Sequence, residues 1–301
     1  MNEGTTEVER VGRASTVTPR AVWTRLPEPV RAPTRPLIAL ARRMSAHGTP
    51  LPPGAPLPLP PSAVQLRTRY GGFWFDGEDK KVTSWIKRQA TWEEDVLRLF
   101  RATVRPGMTV IDVGANIGFH SVVLSRLVGS SGRVHAFEPM PVTLELLNAN
   151  LWRHGCANVT VHPQALSDRG GTAMLEPDPN GRSGAHLSES GFLVELGMLD
   201  SAFPDQRVDV MKVDVEGAEP LVLLGGAALI ARSPGVLVVA EFRASTHLDG
   251  RDARAVLTLY ESLGLELNLL RSDGAPVPAT RDDILDAASR VDTINIVLRK
   301  S

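Results

Sequence analysis

Val110-Ile111-Asp112-Val113-Gly114-Ala115-Asn116-Ile117-Gly118 is the stretch on which the fold turns. A β-branched apolar run carries one acid, breaks at a glycine, and passes after Gly118 into helical periodicity. Such a strand-turn-helix unit, placed first in a doubly wound sheet, lies at the topological switch point, where ligands bind beyond the carboxyl ends of strands. Gly114 and Gly118 let the backbone approach a ligand closely, and the helix start presents unpaired N–H groups. Working outward, short apolar runs predict strands at 109–113, 133–137, 159–165, 208–213, 236–242, 265–270 and 293–299. Helical stretches fall between them at 118–128, 141–154, 217–231 and 252–263. The strands are nearly unbroken apolar runs such as TVIDV and VLVVAEF, which predicts an α/β fold with a doubly wound, mostly parallel sheet covered on both faces. Upstream, residues 64–70 and 73–75 alternate around Gly71-Gly72 and predict a hairpin. Thr91 caps a predicted helix over 92–104, which Arg105-Pro106-Gly107 ends.

Glu138 stands twenty-four positions after Gly114, at the end of the predicted strand over 133–137. A carboxylate there accepts both hydroxyl protons of a ribose. The dinucleotide fingerprint needs a middle glycine to make room for a pyrophosphate, and this chain has Asn116 in that place. Asp112 is a poor neighbour for phosphate and a good one for a cationic ammonium. S-adenosylmethionine combines a ribose and an ammonium with no phosphate, and it is the cofactor these residues predict.

With those residues in place, the stretch from Trp92 to Glu241 resembles the FkbM family of S-adenosylmethionine-dependent methyltransferases. DVGANIG at 112–118, FEP at 137–139, ALSD at 165–168 and KVDVEGAE at 212–219 occur in the family's order and approximate spacing. The resemblance continues more weakly to the C-terminus. It implies a class I methyltransferase (Rossmann-like) fold with seven strands, the last, at about 293–299, antiparallel. It also implies that Asp112, Gly114, Asn116 and Gly118 lie by the methionine portion of the cofactor, Glu138 on its ribose, and Ala165 and Leu166 near its adenine. Nothing is carried over to 176–195, where the family varies.

KVDVEGAE follows a predicted central strand, so Asp214 is placed at its carboxyl end, in the cofactor crevice. An alkyl hydroxyl is a poor nucleophile at neutral pH, and a general base must take its proton. Asp214 is the first candidate for that base, Glu216 and Glu241 the second, and His120 the third. Glu216 and Glu219 have a plainer reading as first-turn acids of a helix, and His120 as a histidine packed against the sheet. The seven histidines show no zinc spacing. A magnesium site built from Asp214 and Glu241 would leave no sequence signature, so magnesium stays open. No G-x-S-x-G elbow and no phosphate-binding G-x-x-x-x-G-K-[ST] loop is present.

The 301 residues carry a formal net charge of -1, which gives no electrostatic footprint for nucleic acid. Cys156, alone in the chain, rules out an internal disulfide. No apolar run reaches bilayer length and the first twenty residues lack a signal-peptide core, so a cytoplasmic protein without an integral membrane segment is expected. Twelve of the 23 prolines, eight arginines and four glutamates fall within residues 1–62. That stretch is predicted to be a disordered Pro/Arg-rich tail and linker, with 37–47 able to form one short helix. Residues 63–301 form the expected methyltransferase domain, with a hairpin and helix extension over 63–90 and a core over 91–301. The resemblance points to O-methylation of a hydroxyl on a small molecule or glycan. Of the 33 basic residues 28 are arginine, which suggests a GC-rich bacterial genome and natural product biosynthesis. The competing readings are an NAD-dependent oxidoreductase and a non-catalytic methyltransferase-fold binding module. Oligomeric state has no sequence signature here.

Overall fold

A computed structural model describes residues 59–178, 181–187, 190–245, 250–291 and 293–300. The 37–47 segment and most of the proline run lie outside the described residues. The first elements are an antiparallel hairpin of β1 (Ala63–Thr68) and β2 (Gly71–Asp76). Its turn is Arg69-Tyr70, two residues before the glycines, because the Thr68 hydroxyl closes it by accepting the Tyr70 N–H at 3.0 Å and donating to the Gly71 carbonyl at 2.9 Å. Helix α1 (Lys80–Gln89) is capped by Asp79, which accepts the Val82 N–H. Helix α2 (Glu94–Thr103) starts two residues later than expected. Glu93 holds a left-handed backbone, φ 44°, and the Thr91 hydroxyl donates to the Glu94 carboxylate rather than capping a backbone N–H.

Strands and helices then alternate. β3 (Thr109–Val113), α3 (Phe119–Val128), β4 (Arg133–Phe137), α4 (Pro141–Arg153) and β5 (Val159–His162) carry the chain to one edge of the sheet. The strand expected over 159–165 breaks after His162, and β6 (Ala165–Leu166) leaves the main sheet. It joins β7 (Gly171–Asp178), β8 (Gly181–Leu187) and β9 (Phe192–Gly197) in a second sheet of order β6-β9-β7-β8, which the sequence reading did not foresee. A short α5 (Leu199–Ala202) leads back to β10 (Val210–Val213). The helix expected over 217–231 is two helices, α6 (Glu219–Leu224) and α7 (Ala227–Arg232). They part at Gly225-Gly226, where a Cβ on Gly225 would sit 2.0 Å from the Ser167 carbonyl oxygen. β11 (Leu237–Arg243), α8 (Ala253–Ser262), β12 (Glu266–Leu270), β13 (Pro276–Pro278), α9 (Arg281–Val291) and β14 (Thr293–Arg299) complete the described chain.

The main sheet has the order β13-β12-β14-β11-β10-β3-β4-β5. β5, β4, β3, β10 and β11 are parallel, and β14 lies antiparallel between β11 and β12. The seven expected strands are present with the last one reversed, and β13 adds an eighth at the edge. Alternate residues of the central strands feed two apolar layers. Ile111, Met211 and Val238 pack with Val222, Ile230 and Leu257 on one face. Val110, Val210 and Val239 pack with Leu99 and Leu124 on the other. Burial on both faces is why these strands read as continuous apolar runs.

Candidate active site

The chain leaves the main sheet in opposite directions from β3 and β10, and a cleft opens over their carboxyl ends. It encloses about 850 Å³ of space, part of it open to solvent. Gly114 and Ala115 both donate to the Phe137 carbonyl, which binds the β3 turn to the end of β4. Glu138 fixes the two turns together: one carboxylate oxygen accepts the Asn116 N–H and the other the Met140 N–H, each at 2.9 Å. Asn116 takes a left-handed backbone, φ 50°, and its own carboxamide oxygen accepts the Ile117 N–H at 2.7 Å.

The two glycines are required by the chain's own packing. Gly114 has φ +76°, and a Cβ there would lie 1.8 Å from the Asp214 carbonyl oxygen. Gly118 has φ +81°, and its Cβ would meet the Leu147 side chain at 2.5 Å. Both positions are thus fixed by the packing of the turn on Asp214 and on α4.

Of the residues singled out from sequence, Gly114, Asn116, Glu138, Ala165, Leu166, Asp214 and Glu216 line this cleft. Phe137, Met140, Leu175 and Leu196 add apolar walls, the last two from the unforeseen second sheet. Three carboxylates line the cleft, and no lysine or arginine does so among the described residues. Burial pushes the Glu138 carboxyl up to about 7 against the pull of its two backbone donors, with Asp112 and Asp214 adding to the rise.

Asp112, Gly118, His120 and Glu241 do not line it. Asp112 is wholly buried, accepts the Ser121 hydroxyl at 2.6 Å, and leaves its second oxygen without a hydrogen bond. Burial raises its carboxyl, while the ammonium that opposes the rise is that of Lys212. The cation that Asp112 calls for is thus present within the chain. His120 is buried edge-on to Phe100 and Phe119, and burial, aided by Lys212, holds it well below its usual value and so neutral. Glu241 pairs with Arg243 at 2.8 Å, and burial followed by Asp214 pushes it up to about 8. Glu216 meets the same Arg243 at 2.6 Å and has a left-handed backbone, φ 57°. Glu219 is buried and accepts the Val215 and Gly217 N–H groups, so it ties the turn before α6.

Asp214, at the end of β10, takes the Lys212 ammonium at 2.7 Å through one oxygen. The magnesium reading finds a donor set that does not fit. Asp214 and Glu241 are each paired with a basic side chain, and no group of three metal-ligating side chains forms among the described residues. Sequence reasoning passed over Lys212, Glu93 and Arg243. Lys212 did leave a signal, a lone charge inside the buried strand VMKV.

Five parallel strands, a reversed strand between β11 and β12, and a cleft over the switch point define a class I methyltransferase fold. Within that class the chain belongs to the FkbM methyltransferase family, whose Methyltransferase FkbM domain matches residues 112–267, about half of the chain. It is 34% identical over 148 residues to the hexuronic acid methyltransferase AglP of Haloferax volcanii, covering 47% of this chain and 59% of that protein. It is 38% identical over 113 residues to the 31-O-demethyl-FK506 methyltransferase FkbM of Streptomyces tacrolimicus, covering 36% and 42%. The chain spans about half the length of these curated relatives. A SAM-dependent O-methyltransferase of Thermotoga maritima aligns over 79% of this chain and 77% of its own, at 17% identity and a TM-score of 0.44.

Proposed function

We propose that the protein is an S-adenosylmethionine-dependent O-methyltransferase that acts on a hydroxyl of a small molecule or glycan. The observation that carries this reading is the charge of the cleft: three carboxylates line it and no basic residue does, among the described residues. A dinucleotide would bring its pyrophosphate against those carboxylates, whereas a cationic sulfonium and ammonium would meet attraction. Glu138 suits the ribose, because each carboxylate oxygen is fixed by one backbone N–H and keeps a lone pair for one hydroxyl. Leu166, Leu175 and Leu196 supply an apolar slot for adenine, beside Ala165. Gly114 and Asn116 set the turn against which the methionine portion would lie.

Bound S-adenosylmethionine would supply a methyl group activated by the sulfonium charge. The chain would exclude water, align the acceptor, and take its proton. Asp214 is the base in this reading. Lys212 holds one of its oxygens, and the other makes no hydrogen bond to a described residue. Glu241 is less suited because it does not line the cleft; Glu216 lines it and, like Asp214, has one oxygen held by a basic side chain, so it stays the second choice. His120 stands behind the turn and is assigned no proton transfer. For the acceptor, support comes from the two relatives, one named for hexuronic acid and one for 31-O-demethyl-FK506. We place the reaction in the cytoplasm and in bacterial specialised metabolism, with residues 63–301 as the catalytic domain and, before it, a tail whose last residues from Leu59 pack on that domain.

Calorimetry with S-adenosylhomocysteine tests the cofactor site: the wild type binds, and Glu138→Ala weakens binding at least tenfold. Unchanged affinity would remove the ribose assignment. On a panel of uronate glycans and hydroxylated macrolactones, Asp214→Asn should lower turnover roughly a hundredfold, the size of a general-base effect, with cofactor affinity kept. Methylation of none of the panel, or normal turnover by the variant, would count against the acceptor class or the base respectively.

A further inference from the structure

Lys212 is 3% exposed in the middle of the main sheet, where a charge is costly without partners. Its register neighbour on β3 is Asp112, so the two side chains share one face, and two residues further on Asp214 falls on that same face at the strand end. The ammonium lies 2.7 Å from an Asp214 oxygen and 3.8 Å from Glu93. Burial alone would lower the lysine, but Asp214, Glu93 and Asp112 together hold it above its usual value and therefore charged.

Glu93 comes from outside the sheet. It occupies the N-cap of α2 with a left-handed backbone, φ 44°, a conformation that is strained for a non-glycine residue. That conformation aims the side chain inward, where one carboxylate oxygen accepts the Asn295 amide of β14 at 2.8 Å. Its other oxygen is buried without a hydrogen bond, 3.4 Å from the neutral His120 ring and facing Lys212. Asn295, Glu93, Lys212 and Asp214 thus make one chain of contacts running from the reversed strand to the floor of the cleft.

We propose that Lys212, braced by Glu93 and Asn295, is a positioning residue that holds the Asp214 carboxylate in place at the cleft. This rests on the reading of Asp214 as the group that takes the acceptor's proton. Without Lys212, Asp214 would have no hydrogen-bond partner among the described residues to fix its rotamer. Without Glu93, the lysine would lose the counter-charge that keeps it from moving toward Asp112.

The test uses Glu93→Gln, Asp214→Asn and the double variant in the full chain. Glu93→Gln should lower kcat roughly tenfold, with acceptor KM and S-adenosylhomocysteine affinity within twofold. In the Asp214→Asn background it should change kcat by less than twofold, since its effect passes through that carboxylate. Additive losses would overturn the proposal, and so would a loss carried by KM. A second readout needs neither cofactor nor turnover: the Asp214 side-chain carboxyl carbon signal, read by NMR in the unliganded protein, should move on Glu93→Gln. A stationary signal would refute the strut even if the protein proves not to bind S-adenosylhomocysteine, which would instead remove the methyltransferase reading. Lys212→Met is the stronger perturbation, but it leaves three carboxylates without their cation. Should it fail to fold, Glu93→Gln carries the decision.

Discussion

Glu138 shows what a buried carboxyl costs the free protein, a cost that the proposed ribose contact would offset. Its carboxyl titrates near 4.5 when unfolded and is pushed up to about 7 by burial in the fold. Between those values the folded state binds a proton that the unfolded state has lost, so stability is fully present below pH 4.5 and falls until pH 7, then levels. The unliganded wild type should therefore lose up to about 3 kcal/mol more than Glu138→Gln between pH 4.5 and 7.5, read from denaturant midpoints at both ends. Parallel curves would mean that the carboxyl is not desolvated. Cofactor affinity should run the other way and rise through pH 7, because the ionised form accepts the ribose hydroxyls. The place of Glu138 in the cleft was legible in the sequence, because a residue ending the strand one unit after the turn stands beside that turn. Gly114 was legible as a residue, while its packing against Asp214 was not. Contact with a ligand and contact with the Asp214 carbonyl call for the same missing side chain, and only the packing of β10 on β3 separates them. The neighbour of Asp112 was hidden for a related reason: nothing in DVGANIG reveals that a lysine a hundred positions away shares its face of the sheet.

At the scale of elements, β3, β4, β10 and β11 could be read directly because strands buried on both faces are almost wholly apolar. The second sheet could not. β7 and β9 are only partly buried, their alternation is weak, and Pro177 sits within β7. Helix α9 escaped notice because only Ile284 and Ala288 are buried along it, too thin a stripe for a periodicity argument. The second sheet nonetheless reaches the site. β6 pairs with β9, β9 with β7, and this ladder carries Ala165, Leu166, Leu175 and Leu196 to the cleft wall. Leu175 is 8% exposed and belongs to a small cluster with Met140, Ala173 and Val194 that joins this sheet to the turn after β4. Leu175→Ala should weaken S-adenosylhomocysteine binding roughly five- to thirtyfold, the equivalent of about 1–2 kcal/mol of lost apolar contact. Calorimetry beside Leu193→Ala, a 44% exposed position on β9 outside the cleft lining, supplies the control. Equal effects at both positions would show that the sheet acts through stability alone.

For the molecule as a whole, the remaining question is where the folded body begins. Composition places the break near Ser62, since over half of the prolines precede it and the rest of the chain carries 25 basic against 30 acidic residues. Contacts place it slightly earlier. Leu59 packs against the cluster that contains Phe73, Phe75 and Leu146, and Pro60 is buried. The Pro60 carbonyl accepts the Ala63 N–H at 2.9 Å, and the Ser62 carbonyl accepts the Gly77 N–H at 2.8 Å, which closes the base of the hairpin. Proline runs look like linkers to any compositional reading, so Leu59 and Pro60, which dock, could not be told from the residues before them. Deleting residues 1–58 should leave the melting temperature and S-adenosylhomocysteine affinity within error. A start at Ser62 removes the Leu59 contact as well, worth about 1 kcal/mol, and should lower the melting temperature by roughly 2–4 °C. Differential scanning calorimetry of the two truncations decides between them: equal melting points would return the boundary to Ser62, and a large loss from the first deletion would show that residues 1–58 help hold the body together.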